Sequence, residues 1–264
     1  MKRLAVFLML ALLLVGCSAG APKEYVQPQS KPVPESPYEP EDFVLVGDYL
    51  QCTKGGTVMG IDVSSHQGEI DWQTVAASGV KFAFIRLGYR GYESGTLHED
   101  EFARTNLLGA KSAGLKVGAY FFSQAVDSQE AIAEAVYALE ILSGFPLDLP
   151  LVFDWEYVSE SARTGNVDRD TLTAATVAFC QVVDSADYRP MVYFNTSQGR
   201  FRLDLEQLGE YPWWLAKYSL DAEFLCRVDL WQYTDQGTVP GIYGNVDIDL
   251  MFTDYGLGKE IFGQ

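Results

Sequence analysis

Two apolar stretches of strand length, KVGAYFF at residues 116–122 and LPLVFDW at residues 149–155, flank a helix pattern, SQEAIAEAVYALEIL, at residues 128–142. Ser128 stands where an N-cap is favoured, and Gly144 and Pro146 follow the end of the pattern. Both stretches are apolar on both faces, which is typical of parallel strands buried beneath helices. The unit therefore predicts a strand–helix–strand crossover within a parallel α/β fold.

The same alternation extends in both directions along the chain. Further strands are predicted at residues 58–63, 82–87, 190–194, 213–216 and 228–233, and further helices at residues 70–78, 99–113 and 171–185. Helix signals become sparse after Glu206. This favours a closed barrel with fewer than eight helices over an open doubly wound sheet. No G-x-G-x-x-G follows a strand, which disfavours dinucleotide binding.

The composition excludes several classes of protein. The chain has 264 residues with 36 acidic and 19 basic side chains, so its formal net charge is −17. A nucleic-acid partner is excluded, because phosphate binding needs clustered Lys and Arg. With 48% hydrophobic residues the chain can bury a large core. Only His66 and His98 are present, so a zinc site is disfavoured, and we expect neither a metal nor a cofactor.

The N-terminus has the features of a secretory signal. A basic start, Met1-Lys2-Arg3, precedes the apolar residues 4–15 and then Gly16-Cys17. Residues 14–17 resemble the lipobox of bacterial lipoproteins, which implies cleavage after residue 16 and acylation of Cys17. The alternative is an ordinary cleaved signal with an incidental cysteine. We therefore predict a signal peptide at residues 1–16 and a lipid anchor in the bacterial cell membrane.

Residues 17–57 follow as a spacer and an N-terminal arm. Six prolines occur between Ala21 and Glu41, which predicts a semi-extended segment without a core. Residues 43–46 are predicted either as a short strand or as an arm packed on the next domain. That domain is predicted at residues 58–256, followed by a short tail at residues 257–264.

Four acidic residues lie where strands end. Asp154 and Glu156 alternate with Trp155 and therefore share one face at the exit of an apolar strand. Two carboxylates in such a place raise each other's pKa, which suits a general acid in glycoside hydrolysis. The alternative for this pair is a solvated loop or a helix cap.

Asp62 lies at the end of the first predicted strand, and Asp247 lies near the end of the chain. In a closed barrel the first and last strands are neighbours, so these acids can meet the pair at one rim. The alternatives are that Asp62 bonds to Ser64 or Ser65 and that Asp249 is a surface residue. A metal held by these acids lacks support from any histidine cluster.

These residues belong to longer motifs that resemble a known family. GIDVSSHQG at residues 60–68 and IDW at 70–72 are similar to the opening signature of glycoside hydrolase family 25, the bacterial and phage N-acetylmuramidases of the lysozyme class. The resemblance continues through FIRLGYR at 84–90, AGLKVGAY at 113–120, DWE at 154–156, VYFN at 192–195, WLA at 214–216, WQY at 231–233 and VD at 246–247. It covers residues 58–252 in the order and spacing of the family.

The resemblance implies a TIM-like (β/α)5(β)3 barrel that cleaves the β-1,4 bond between N-acetylmuramic acid and N-acetylglucosamine. Glu156 would be the general acid, and Asp154 would assist at the anomeric centre by holding the acetamido group or by attacking directly. Asp62 and Asp247 match the remaining family acids. The implied partner is the peptidoglycan glycan strand, with the protein acting as a monomer outside the cytoplasm and facing the cell wall.

Aromatic and polar side chains beside the motifs are candidates for the sugar groove. Tyr120, Tyr193, Trp214 and Trp231 offer flat rings for pyranose faces, with burial in the barrel as the alternative for each. Asn195 is a further candidate. Arg86 and Arg90 either neutralise substrate carboxylates or pair with protein acids. His66 is expected to structure its loop.

Rival functions and the cysteines complete the expectations. A family 18 chitinase would need Asp where Val152 stands, and a zinc deacetylase would need a histidine pair. The remaining rivals are a non-catalytic glycan-binding lipoprotein on the same barrel and a glycosidase for another N-acetylated polysaccharide.

Three cysteines follow Cys17, namely Cys52, Cys180 and Cys226. An odd number of cysteines cannot all pair within the chain, and a disulfide between two of them stays open.

Overall fold

The structure is a computed structural model that describes residues 29–220, 223–224 and 226–263. The predicted signal peptide and Cys17 lie outside the described residues. Within them, no helix is both long enough and apolar enough to span a bilayer. The three thiols Cys52, Cys180 and Cys226 are free in this structure.

Eight strands close into a barrel, with a short ninth strand at one edge. The order around the barrel is β3, β4, β6, β7, β8, β9, β10 and β11, and β11 pairs with β3 to close it. The strands are β3 (Thr57–Val63), β4 (Phe82–Arg90), β5 (Leu97–Glu99), β6 (Lys116–Ser123), β7 (Leu151–Trp155), β8 (Pro190–Asn195), β9 (Trp213–Ala216), β10 (Leu230–Gly237) and β11 (Val246–Phe252). β11 is antiparallel to both of its neighbours, whereas the other barrel strands run parallel.

A helix follows each of the first five barrel strands, and among the described residues no helix lies between the last three. The helices are α1 (Trp72–Ala77), α2 (Ala103–Ser112), α3 (Ser128–Leu142), α4 (Arg169–Ser185) and α5 (Thr196–Phe201), with α6 (Gly256–Phe262) after the barrel. This arrangement confirms the predicted (β/α)5(β)3 barrel. The bounds of α3 are those predicted, but its N-cap is Asp127 rather than Ser128, because the Asp127 side chain accepts from the backbone N–H groups of Gln129 and Glu130.

Apolar side chains form two layers on opposite faces of the strands. The interior of the barrel holds Phe82, Phe84, Val152, Met191, Trp214 and Met251 among others. The outer face packs against the helices, as Phe153 does against Phe179 of α4. Because successive residues of a strand alternate between these layers, each strand sends every second residue into the barrel.

An N-terminal hairpin covers the outside of the last strands. It consists of β1 (Phe43–Val46) and β2 (Tyr49–Cys52), which pair antiparallel. Phe43 is buried edge-on against Trp231 and Phe252, and the Tyr49 hydroxyl donates to the Thr238 carbonyl at 3.1 Å. The segment is therefore both a strand and an arm packed on the barrel, so both sequence-based interpretations hold.

Gly60 of β3 provides a prediction about the barrel interior. A Cβ atom at this position would overlap the ring of Phe82, which is fully buried. Gly60→Ala should therefore lower the free energy of unfolding by about 2 kcal/mol, because overpacking a core costs about 1–3 kcal/mol. Urea unfolding measures the effect. Phe82→Leu in the Gly60→Ala background should recover part of the loss, and wild-type stability of Gly60→Ala would contradict the close packing.

Candidate active site

Four acidic side chains meet at one mouth of the barrel. Asp62 lies at the end of β3, Asp154 on β7, and Glu156 one residue beyond β7. Asp247 lies near the start of β11, and the antiparallel direction of that strand brings its first residues to the same rim. In the register of these strands Asp247 stands directly opposite Asp62. Asp62 and Asp154 are only 5% and 6% exposed, respectively.

A buried glutamine connects the acids to two tyrosines. The Gln232 Nε2 group donates to Asp62 Oδ2 at 2.7 Å. The Gln232 Oε1 atom accepts from the hydroxyl groups of Tyr193 at 3.0 Å and Tyr218 at 3.1 Å. Gln232 and Tyr218 were not predicted as site residues. The alternation of β10, with Leu230 and Gln232 facing inward around Trp231, is the signal that points to Gln232.

Burial dominates the electrostatics of the cluster. It raises the pKa of Asp62 well above its usual value, and the charges of Asp247 and Asp249 add to this effect. Burial, followed by the charge of Asp235, raises the pKa of Asp247 to about 7. Like charges in a medium of low polarity disfavour ionisation. The cluster therefore holds protons at neutral pH that isolated carboxylates would have lost.

The pKa values of Asp154 and Glu156 are raised in the same way. Burial and the charge of Glu156 raise the pKa of Asp154, and burial raises that of Glu156, while the neighbouring Tyr193 hydroxyl opposes the rise for Glu156. Asp154 Oδ1 accepts no hydrogen bond from the described residues. Both carboxyl groups are therefore biased toward their protonated forms, and the two titrate as a pair.

Amide side chains fix the main chain that carries Glu156. Gln124 Nε2 donates to the Glu156 carbonyl at 2.7 Å, and Gln198 Nε2 donates to the Trp155 carbonyl at 2.5 Å. Gln124 is itself fully buried, and its Oε1 atom accepts from the Thr164 hydroxyl at 3.0 Å. Glu156 lies beyond the strand, but these bonds hold its backbone in place.

The predicted aromatic residues divide between the groove and its floor. Tyr120 and Tyr193 are 8% and 6% exposed at the mouth, and burial, together with the charge of Asp62, raises the pKa of Tyr120. Trp214 lies below them, 1% exposed, with its ring edge-on to both tyrosines. Trp214 is thus part of the floor, which is the alternative that the sequence left open.

The expectation for Trp231 is wrong in this structure. Its side chain points to the outer face of the barrel, is fully buried under Phe43 and Phe224, and donates to the Lys217 carbonyl at 3.0 Å. The motif includes the position, but strand alternation turns the ring away from the mouth.

The polar candidates are held by protein partners. The Asn195 side chain accepts from the Gln198 backbone N–H at 3.0 Å and caps α5. Arg86 pairs with Asp100 at 2.8 Å and donates to the Ser65 hydroxyl, while its charge still lowers the pKa of Asp154. Arg90 pairs with the buried Glu134 at 2.6 Å and is structural. His66 is exposed in a short 3-10 turn.

Asp249 is a fifth acid, for which the sequence left a surface position open as an alternative. It is fully buried inside the barrel, where its Oδ1 atom accepts from Trp214 Nε1 at 3.0 Å and its Oδ2 atom has no partner among the described residues. Burial and the charge of Asp247 raise its pKa well above the usual value.

The described part of the chain contains no group of three or more His, Cys, Asp and Glu side chains arranged to hold a metal ion.

A family model supports the earlier resemblance. The model described as "Glycosyl hydrolases family 25" matches residues 61–242. The matched range contains Asp62, Asp154 and Glu156, whereas the hairpin of β1 and β2 precedes it and Asp247 follows it.

Curated and solved proteins resemble this chain at moderate identity. The "Autolytic lysozyme" of Clostridium acetobutylicum is 29% identical over 195 residues, which are 72% of this chain and 54% of that protein. The autolysin LytC of Streptococcus pneumoniae, solved with a synthetic peptidoglycan ligand, superposes with a TM-score of 0.64 at 27% identity over 74% of this chain and 46% of LytC. This chain therefore spans about half the length of these two relatives.

A third relative has nearly the extent of this barrel. The bacterial lysozyme from Streptomyces coelicolor gives a TM-score of 0.63 at 24% identity, covering 80% of this chain and 97% of that structure. At this identity the likeness supports the fold, and it agrees with the barrel described above.

The buried Asp249 makes stability depend on pH in a predictable direction. Its folded pKa is raised above the unfolded value of about 4, so its contribution to stability is complete below about pH 4 and is lost as pH rises through the folded pKa. Asp249→Asn removes this loss while the amide oxygen can still accept from Trp214. The stability of this variant relative to the wild type should therefore increase as pH rises from about 4.5 to about 8.

Chemical denaturation at the two pH values measures this change, and Asp48→Asn on the exposed hairpin turn is the matched control. An equal effect of Asp249→Asn at both pH values would show that the pKa of Asp249 is not raised in the folded protein.

Proposed function

The chain belongs to glycosyl hydrolases family 25, and we propose that it hydrolyses the β-1,4 bond between N-acetylmuramic acid and N-acetylglucosamine in peptidoglycan. The observation that carries the proposal is the convergence of Asp154 and Glu156 with Asp62 and Asp247 at the barrel mouth. Paired carboxylates with raised pKa values are what glycoside hydrolysis requires. The relatives support the substrate class, since one is named a lysozyme and another was solved with a peptidoglycan ligand.

In this proposal Glu156 is the general acid that protonates the leaving oxygen. The backbone bonds from Gln124 and Gln198 hold it in position, and the half-buried carboxyl group reaches the mouth. Catalysis needs a proton on Glu156, and burial favours the protonated form of this carboxyl group. An acetamido N–H donated to Asp154 Oδ1 would stabilise the ionised Asp154 and leave the proton on Glu156.

Asp154 then holds the acetamido group so that its carbonyl oxygen can attack the anomeric carbon. The unsatisfied Oδ1 atom favours this role over direct attack, because an acceptor buried without a donor gains most from a hydrogen bond. Asp62 is fixed by Gln232, and Asp247 faces Asp62 across the strand pair. In this proposal the two acids border the sugar on the side of the mouth opposite Asp154. Tyr120 and Tyr193 line the same mouth.

The proposal places this reaction outside the cytoplasm. Acylation of Cys17 would tether the protein to the membrane, and the proline-containing residues 17–57 would carry the barrel toward the cell wall. This localisation rests on the sequence of the N-terminal segment.

The central test is Glu156→Gln on purified peptidoglycan. The wild type should release muropeptides with N-acetylmuramic acid at the reducing end, identified by mass spectrometry after reduction. Loss of a general acid should lower the rate about 100-fold or more, since such groups contribute about 10²–10⁴-fold. Glu140→Gln on the exposed face of α3 is the matched control and should retain full activity.

Each alternative outcome has a distinct meaning. Undiminished release by Glu156→Gln would refute its role as the acid. Reducing ends of N-acetylglucosamine would identify cleavage of the other glycosidic bond, and binding without release would identify a glycan-binding barrel.

The pH dependence of hydrolysis tests the contribution of Asp247. Its negative charge, half formed near pH 7, opposes loss of the proton that Glu156 needs. Asp247→Asn should therefore shift the alkaline limb of the kcat/KM profile toward lower pH by about half a unit to one unit. A lower kcat/KM with an unmoved limb would mean that Asp247 contacts the sugar without tuning the pair.

A further inference from the structure

A cavity of about 510 Å³ lies beside the catalytic mouth, and we call it the rim cavity. Its walls come from the turn of the β1–β2 hairpin, the loop after β9 and the end of β10. Leu45, Asp48, Tyr218, Leu220, Asp235 and Gln236 are among its lining residues. The hairpin turn lies outside the stretch that the family model matches, so this wall is an addition to the matched part of the barrel.

Two of the residues that line the rim cavity act directly on the proposed active site. Tyr218 lines the cavity, and its hydroxyl donates to Gln232, which in turn holds Asp62. Asp235 also lines the cavity, and its charge acts on Asp247. A group attached to a sugar at the four acids could therefore extend directly into the cavity.

The walls combine negative charge with exposed apolar surface. Neither Asp48 nor Asp235 forms an ion pair with any Lys or Arg of residues 29–220, 223–224 or 226–263, although both are exposed. Leu45 and Leu220 are each 53% exposed and Tyr218 is 54% exposed. Thr234 and Gln236 add a hydroxyl and an amide. This chemistry suits a short peptide with small apolar side chains and one ammonium group.

We propose that the rim cavity binds the stem peptide of peptidoglycan, with Asp48 and Asp235 holding the side-chain ammonium of its diamino acid. The inference rests on the proposed function, because the stem peptide hangs from the muramic acid whose bond is cleaved. A diamino acid in the third position lies about 10 Å along an extended peptide. A bare glycan would gain little from the two carboxylates, since its N-acetylated sugars carry no cation.

Isothermal titration of the full chain carrying Glu156→Gln tests the site without hydrolysis. The ligands are the N-acetylglucosaminyl-N-acetylmuramic acid disaccharide, the same disaccharide with L-alanyl-γ-D-glutamyl-L-lysine, its lysine-acetylated form, and the tripeptide alone. The free ammonium should increase affinity roughly five- to tenfold over the acetylated form, as expected for a charge-assisted contact. Asp48→Asn should remove this preference and leave affinity for the bare disaccharide unchanged.

Asn is favoured in turns, so Asp48→Asn should fold, and Glu140→Gln on α3 is the charge-matched control. Equal affinity for the free and acetylated forms would overturn the proposal, as would a preference that survives Asp48→Asn. Asp48→Asn should also weaken binding of the tripeptide alone, so the proposal can be tested even if the disaccharide does not bind. Failure of the proposed function is recognised separately, by the absence of reducing ends in the wild-type digest.

Discussion

The pairing of β11 with β3 is the constraint on which the site depends. Only this antiparallel closure brings the start of the last strand to the rim where the parallel strands end, and so places Asp247 opposite Asp62. It also places Asp249 one layer deeper, beneath Trp214. Five carboxylates thereby share a small volume of low polarity, an arrangement that costs stability and raises pKa values together. The apolar layers inside and outside the barrel offset that cost.

The fold and part of the site were predictable because they follow local periodicity. The crossover around residues 128–142, the shared face of Asp154 and Glu156, and the loss of helices after Glu206 all follow from patterns within a few residues. The motifs then indicated which acids meet, since closure of a barrel makes distant strands neighbours.

Other features depend on contacts that local sequence does not specify. Trp231 and Gln232 are adjacent in one motif, and only the register of β10 determines that the amide faces the mouth. Asp249 has the appearance of a surface residue until the antiparallel pairing turns it inward. The position of the hairpin follows from Phe43 packing on Trp231, which lies 188 positions later along the chain (231 − 43 = 188).

The hydrogen bonds of Gln232 have a consequence for proton movement. Its amide accepts from two tyrosines at one end and donates to Asp62 at the other, so the chain of bonds has a single direction. An amide at neutral pH does not relay a proton through its carbon, and the observed orientation directs both hydroxyl protons at Oε1 and an N–H group at Asp62. Asp62 is thus insulated from the tyrosines. Proton exchange of Asp62 therefore does not run through Gln232, and a bound sugar that covers this side chain, which is only 5% exposed, would slow the exchange.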